Sequence, residues 1–281
     1  MKKIEEKFQK ERKDKSDLSN MKLEDFKTII DQTKLHVNQV ALGGKGDPNK
    51  HENFEEILSY CRENNVVPNY TTSGNGLTDE EVEISKKYCG AVATSMYFKD
   101  FTYSSLKKFM EADVKTNIHF VLSRDSFRNA IRILSGEDIW GGNINLENLN
   151  AIVFLLFKPQ GNGKDKKHLC LNEEEIKTFA DLLLNPKVKF KIGADSCLIN
   201  KVSQVRELTE SEQVCVDTCE GSRMSCYISP DMWFMPCSFG DKYMYGVMIG
   251  QLNPIQNIWD GASSFKMFRE VLTKNPMSCP Y

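Results

Sequence analysis

Short apolar runs alternate, along the first two thirds of the chain, with segments whose apolar residues recur every three or four positions. The runs predict buried β-strands of a parallel sheet, and the spaced residues predict amphipathic helices. We expect strands at residues 37–42, 66–72, 91–95, 117–122, 151–157 and 188–192. This regular alternation predicts an α/β fold, arranged as a partial or complete TIM-like (β/α) barrel.

Glycine or small polar residues follow five of these strands, and the carboxyl ends of parallel strands are where α/β proteins bind their ligands. The candidates are Gly44, Lys45, Gly46 and Asp47, then Thr71 and Thr72, then Ser95, then Ser123, and finally Gln160 and Gly161. They predict a site for a polar small molecule. Helix capping is the alternative explanation for Ser123, as it is for Thr78. His119, inside a strand, either faces this site or is a structural residue.

The pattern becomes irregular near residue 195, which predicts three segments. Residues 1–20 form a charged arm, residues 21–195 form the barrel, and residues 196–281 form a cysteine-rich extension. Residues 1–20 contain too many acidic side chains for a transit peptide.

Six of the nine cysteines lie in the extension, at Cys197, Cys215, Cys219, Cys226, Cys237 and Cys279. No Cys-x2-Cys pair is present, which argues against structural zinc. An iron–sulfur cluster accepts widely spaced thiolates, because the fold brings them together. Buried, unliganded thiols are the alternative. The other three cysteines lie in or beside predicted helices, and we expect none of them to be a ligand.

The chain is nearly neutral, because its 37 basic and 39 acidic residues almost cancel. Nothing in this balance predicts a nucleic-acid or membrane partner. Without a long apolar stretch or a signal peptide, the sequence predicts a cytoplasmic protein. In such a compartment, disulfides are not expected.

Taken in order, the motifs resemble the radical S-adenosylmethionine (radical SAM) superfamily. Residues 43–48 are similar to its Gly-Gly-x-Glu/Asp-Pro motif, residues 71–74 to its Thr-Thr-Asn-Gly segment, and residues 93–95 to its fourth strand, which ends in Ser. Residues 157–161 are placed like the segment after the sixth strand. Residues 219–221, 227–230 and 236–239, with Trp259 and Cys279, resemble a SPASM-type extension, which carries auxiliary iron–sulfur clusters. The resemblance covers residues 22–281.

The resemblance implies S-adenosylmethionine and an auxiliary [4Fe-4S] cluster as cofactors. The main chain of Gly44, Lys45 and Gly46, together with Asp47, would hold the methionine amino group. Ser95 would approach the ribose or carboxylate, and Thr71 and Thr72 would line the same cavity. The implied cluster ligands are Cys197, Cys219, Cys237 and Cys279, with Cys215 and Cys226 in reserve. SPASM-type extensions often accompany peptide or protein modification, so a peptide or protein substrate is the expected partner.

One family feature is absent from the sequence. Radical chemistry in this family begins at a Cys-x3-Cys-x2-Cys loop after the first barrel strand, whereas the first cysteine here is Cys61. We therefore expect a barrel that lacks its first strand and does not generate a radical on its own. Three hypotheses remain: a truncated or split radical SAM enzyme whose N-terminal segment is encoded separately, a non-catalytic binding or electron-relay module, and an unrelated barrel enzyme that uses acid–base chemistry.

Overall fold

The computed structural model describes residues 20–44, 46–140, 142, 144–277 and 279. Its main element is a six-stranded parallel sheet in which the strands follow one another in chain order. The strands are β1 (Gln39–Leu42), β2 (Val67–Thr72), β3 (Val92–Ser95), β4 (Thr116–Leu122), β5 (Ala151–Leu156) and β6 (Lys191–Ala194). The prediction of an α/β partial barrel is confirmed. The last strand begins at Lys191, however, and not at residue 188.

Helices connect the strands and cover one face of the sheet. They are α1 (Leu23–Thr33), α2 (Phe54–Glu63), α3 (Asp79–Tyr88), α4 (Asp100–Glu111), α5 (Arg124–Leu134), α6 (Glu173–Leu183) and α7 (Ser196–Val205). Short 3₁₀ turns occur at Pro48–Lys50, Gly161–Gly163 and Lys167–Leu169. Right-handed crossovers between sequential parallel strands place all connecting helices on the same side. One face of the sheet is therefore buried beneath helices.

The main core lies between β4, β5 and the helices that cover them. Phe154 contacts Phe120 and Phe179, at ring-centroid distances of 5.2 and 5.1 Å. Leu198 and Val202 of α7 are also fully buried in this core. The helix that follows β6 therefore packs as part of the barrel, although the sequence pattern assigned it to the extension.

The strand register determines which side chains lie on the second face of the sheet. In parallel pairing, partner residues point to the same face. One row consists of Ser95, His119, Val153 and Gly193, and the row before it contains Thr71, Ala93, Asn117, Ala151 and Lys191. We call this surface the open face. It is partly exposed, and Val121, one row further on, is 48% exposed.

The extension contains a small antiparallel sheet that the sequence pattern did not predict. Its strands are β7 (Tyr227–Ile228), β8 (Trp233–Met235) and β9 (Val247–Met248), and its helices are α8 (Glu210–Gln213), α9 (Lys242–Tyr245), α10 (Ile255–Gly261) and α11 (Ser263–Lys274). Phe234 and Phe265 form its core, with ring centroids 4.7 Å apart. Ile29 of α1 joins this core, so the extension packs against the barrel.

No helix in the part of the chain that the structure describes is both long and apolar enough to cross a membrane.

Substitution of Gly74 tests how tightly the turn after β2 packs against α4. Gly74 has φ +82°, and a Cβ added there would lie 2.2 Å from Ser105 Oγ. Gly76 has φ +64°, but only the Lys50 Nζ, at 4.0 Å, would lie near its added Cβ. We expect Gly76→Ala to cost roughly 1–2 kcal/mol from backbone strain alone. Gly74→Ala should cost roughly 2–5 kcal/mol, because overpacking adds to the strain.

Urea unfolding of both variants and the wild type measures this difference. Equal losses of unfolding free energy in the two variants would show that the contact with Ser105 relaxes without cost.

Candidate functional site

Asp47 joins the ends of the first two strands. Its Oδ1 accepts a hydrogen bond from the Ser73 backbone amide at 2.8 Å, and its Oδ2 accepts one from Ser73 Oγ at 2.6 Å. The glycine turn after β1 is thereby fixed to the end of β2. A carboxylate can accept about four hydrogen bonds, so Asp47 keeps acceptor capacity for a ligand amine.

The turn before Asp47 leaves its main chain accessible. An added Cβ at Gly43, Gly44 or Gly46 would meet no atom within 4 Å. Lys45 lies outside the described residues, so its predicted part in ligand binding stays a prediction. The arrangement of Gly44 and Gly46 allows a ligand to approach the backbone directly.

Thr71 and Thr72 lie on opposite faces of β2. Thr71 is half-buried on the open face, whereas Thr72 is 1% exposed and its Oγ1 accepts a hydrogen bond from the Gly74 amide at 3.0 Å. The prediction that both residues line one cavity is therefore wrong for Thr72. Successive side chains of a strand point in opposite directions, so only one of the two can face a ligand on the open face.

Ser95 and His119 are register partners on the open face, and Thr71 lies beside them. Thr71 Oγ1 and His119 Nδ1 form a hydrogen bond of 3.3 Å, in which the donor depends on the imidazole tautomer. Burial lowers the pKa of His119 from its ordinary value of 6.5, although the charge of Asp195 acts in the opposite direction. The imidazole is therefore neutral at pH 7 and can both donate and accept a hydrogen bond.

Lys158 and Asp195 form an ion pair at the carboxyl ends of β5 and β6. Lys158 Nζ lies 2.7 Å from Asp195 Oδ2, and both side chains are largely buried. Asp195 Oδ1 also accepts hydrogen bonds from the backbone amides of Leu156 at 3.2 Å and Leu198 at 2.8 Å. Burial alone would lower the pKa of Lys158, but the Asp195 carboxylate produces a net rise.

The four cysteines predicted as cluster ligands influence one another. Burial raises the pKa of Cys197 to about 11, and Cys237 adds to that rise. Burial is also the largest cause of the raised pKa of Cys237, to which Cys219 and Cys279 contribute. Cys279 acts in the same way on Cys219. Such effects decline with distance, so Cys237 lies near each of the other three thiols. The packing agrees for Cys219, because a Cβ added at Gly221 would lie 3.6 Å from Cys219 Sγ and 3.1 Å from the carbonyl oxygen of Pro236, the residue before Cys237.

Two backbone amides approach the sulfur atoms of this neighbourhood. The amide of Gly221 acts on Cys219, and that of Phe239 acts on Cys237; each lowers the pKa of its thiol by hydrogen bonding. Burial alone raises the pKa of the reserve candidate Cys226, to about 11, and no other thiol acts on it. Cys226 is in this respect unlike Cys219 and Cys237, whose pKa values other thiols raise.

Within the described residues, no three His, Cys, Asp or Glu side chains converge as ligands of a single metal ion. Zinc would require four donors, with sulfur atoms at about 2.3 Å from the same ion. A [4Fe-4S] cluster distributes its four thiolates over four iron atoms, so its ligands are spaced further apart. Four thiols are the donor set that a [4Fe-4S] cluster takes, so the chemistry of these residues fits such a cluster.

Helix capping accounts for two of the polar residues near strand ends. Thr78 and Ser123 each take part in a capping box, at the start of α3 and α5. Sequence reasoning missed Asp195 and assigned no role to Lys158. The signal for Asp195 was its position directly after β6 and before a helix, where Asp is a favoured N-cap.

Solved structures of radical SAM enzymes share the fold of this chain. Solved structures similar to it include Streptococcus suis SuiB bound to S-adenosylmethionine, with a TM-score of 0.66 and 17% identity over 86% of this chain. SuiB bound to precursor peptide SuiA gives a TM-score of 0.64 at 17% identity over 88% of this chain. The predicted resemblance is thus confirmed at the level of the fold.

Native anSMEcpe with bound AdoMet and Kp18Cys peptide is also similar, with a TM-score of 0.63 and 14% identity over 88% of this chain. The chain spans 59% to 61% of the SuiB length and 74% of the anSMEcpe length. No family profile and no curated protein matches the sequence.

The lowered pKa of His119 predicts a pH-dependent stability. Its contribution is fully present above 6.5, the ordinary pKa, and is lost as the pH falls through the lower folded-state pKa, because the unfolded chain binds the proton more readily. We expect the wild type to lose more thermal stability than His119→Gln between about pH 7.5 and about pH 5.5. Parallel pH profiles for the two proteins would contradict a neutral, half-buried imidazole.

Proposed function

We propose that this chain is a radical SAM-type protein that binds S-adenosylmethionine at the open face and a [4Fe-4S] cluster in its C-terminal extension. The observation that carries the proposal is the grouping of the thiols Cys197, Cys219, Cys237 and Cys279, of which Cys197 and Cys237 lie near Lys158 at the carboxyl edge of the parallel sheet. The two binding functions depend on different parts of the chain, so each can be tested separately.

S-adenosylmethionine is proposed to bind where the first three strands end. Its amino acid portion is assigned to Asp47 and to the main chain of Gly44, Lys45 and Gly46, of which Gly44 and Gly46 are exposed. Thr71 and Ser95 face the same side of the sheet and would contact the ribose or carboxylate. Thr72 is left out of this assignment, because its hydroxyl is buried and already bonded to the Gly74 amide.

Cys197, Cys219, Cys237 and Cys279 are proposed to ligate the cluster as thiolates. A bound cluster supplies one-electron redox chemistry to the protein. The amides of Gly221 and Phe239 would donate hydrogen bonds to two of the ligating sulfurs and stabilise their negative charge. Cys215 and Cys226 are not needed for this set.

A peptide is the proposed substrate class. This part of the proposal draws on the structures of SuiB bound to precursor peptide SuiA and of anSMEcpe bound to the Kp18Cys peptide. The open face offers a mixed lining for such a ligand, since His119 and Asn117 lie on it with Val121 and Leu155. A lining with both polar and apolar side chains suits a peptide ligand, which presents backbone amides and apolar side chains.

The 281 residues contain no Cys-x3-Cys-x2-Cys loop, so we propose that this polypeptide binds S-adenosylmethionine without cleaving it. A separately encoded segment with that loop would complete a split enzyme. Within the described residues β1 pairs only with β2, so its other edge could receive the strand of that segment. The second candidate function is a binding or electron-relay module. Co-expression with such a segment separates the two, because only a split enzyme then releases 5′-deoxyadenosine.

Iron content tests the cluster. After anaerobic purification and reconstitution with iron and sulfide, the wild type should contain about four irons per chain and give a reduced EPR signal. The Cys219→Ala/Cys237→Ala variant should lose both, whereas Cys215→Ala/Cys226→Ala should retain both. A wild type that binds zinc or no metal would contradict the cluster, as would iron loss confined to the Cys215/Cys226 variant.

Ligand binding tests the open face independently of iron. We expect Thr71→Val and Ser95→Ala each to weaken S-adenosylmethionine binding about three- to tenfold in calorimetry, because each removes one hydrogen bond. Thr178→Val is the matched control, since its hydroxyl bonds to the Glu174 carbonyl of α6 on the opposite side of the sheet. Equal affinities for Thr71→Val and Thr178→Val would place the ligand elsewhere.

A further inference from the structure

Lys158 occupies an unusual position for a lysine. Its side chain is only 15% exposed, although it follows β5 at the rim of the sheet. Nζ contacts Asp195 Oδ2 at 2.7 Å and lies 4.2 Å from the ring centroid of Phe239. A buried ammonium group is costly unless it is paired, and this one has a carboxylate partner and an aromatic partner.

Both partners of Lys158 lie within two residues of a cysteine of the proposed cluster. Asp195 is the N-cap of α7, and Cys197 is the second residue of that helix. Phe239 follows Cys237 by two residues, and its amide acts on the Cys237 sulfur. Lys158 therefore connects the barrel rim to the segments that carry two of the four thiols.

The charge of Lys158 reaches both of those sulfurs. It lowers the pKa of Cys197, through charge and through a hydrogen bond, and it lowers the pKa of Cys237 through charge. The positive charge of Lys158 also stabilises any further negative charge that is placed near these two sulfur atoms. Asp195 opposes it, since its carboxylate raises the pKa of Cys197. The pair therefore places two opposite charges near Cys197, and they act on its sulfur in opposite directions.

The geometry of this pair is fixed. Asp195 Oδ1 accepts from two backbone amides, those of Leu156 and Leu198, and this leaves Oδ2 for the lysine. The Phe239 ring restricts the ammonium group from the other side. A charge held in place in a partly buried region acts more strongly than a mobile surface charge.

We propose that Lys158 raises the reduction potential of the cluster held by Cys197, Cys219, Cys237 and Cys279, and that Asp195 lowers it. This inference rests on the proposed cluster. Reduction adds one electron to the cluster, and a nearby fixed cation stabilises the more negative, reduced state. Cluster potentials respond to local charge, to hydrogen bonds to sulfur and to solvent exposure, so removal of either charge should be measurable.

A purely structural role for Lys158 is the competing explanation. In that case the ion pair and the contact with Phe239 only fasten the extension to the barrel. Loss of Lys158 or Asp195 would then destabilise the same junction, and any change in potential would have the same sign in both variants. An electrostatic role instead requires opposite signs.

The test is a potentiometric titration of the reconstituted protein, with the reduced cluster followed by EPR and iron measured on each sample. Lys158→Gln should shift the midpoint potential to a more negative value, and Lys158→Arg should restore most of it. Asp195→Asn should shift it to a more positive value, because Asn retains the N-cap function without the charge. Lys87→Gln, which removes an exposed lysine at the far end of α3, should match the wild type.

The outcomes separate the two proposals. Full iron with an unchanged potential in Lys158→Gln would overturn the electrostatic role, as would shifts of equal sign in Lys158→Gln and Asp195→Asn. If Lys158→Gln fails to fold or to retain iron, Asp195→Asn decides alone: a positive shift supports the role, and no shift or a negative one overturns it. Absence of iron from the wild type would instead refute the proposed cluster itself.

Discussion

The register of the parallel strands controls which side chains reach the open face. His119 is paired with Ser95 on one side and with Val153 on the other, and Thr71 lies one row earlier. Because side chains alternate along a strand, a slip of one residue in β4 would bury His119 beneath the helices and expose Phe120 in its place. The buried rings of Phe120 and Phe154 prevent that slip. Packing of Phe120 and Phe154 on the buried face thus determines which polar side chains lie on the open face.

The carboxyl edge of the sheet differs from one end to the other. At the ends of β1 and β2, the Asp47 carboxylate accepts two hydrogen bonds from Ser73, and the exposed glycine turn lies beside them. At β5 and β6, the edge instead carries the ion pair of Lys158 and Asp195, next to the thiols of the extension. The two ends of the edge therefore differ in charge and in the kind of group that they can bind.

The order and type of the main elements could be predicted from the sequence because they depend on local patterns. Apolar runs such as residues 151–156 and the helical spacing in Phe127 and Ile131 are visible without any tertiary information. The position of Thr72 was missed because two adjacent polar residues of a strand were assigned to one cavity, against the alternation of side chains. The strands of the extension have only two or three residues, which is too short for a periodic signal.

The ion pair could not have been predicted, because Lys158 and Asp195 meet only after β5 and β6 pair. The same holds for the thiols, whose separations in sequence give no indication of shared surroundings. Sequence spacing alone left zinc, a cluster and unliganded thiols as alternatives. The structure adds that Cys237 lies close enough to Cys197, Cys219 and Cys279 for their charges to act on one another, and that no three of the described His, Cys, Asp or Glu side chains converge on one metal ion. Only the fold brings such widely spaced cysteines together, which is why their grouping is a property of the tertiary structure and not of the sequence motif.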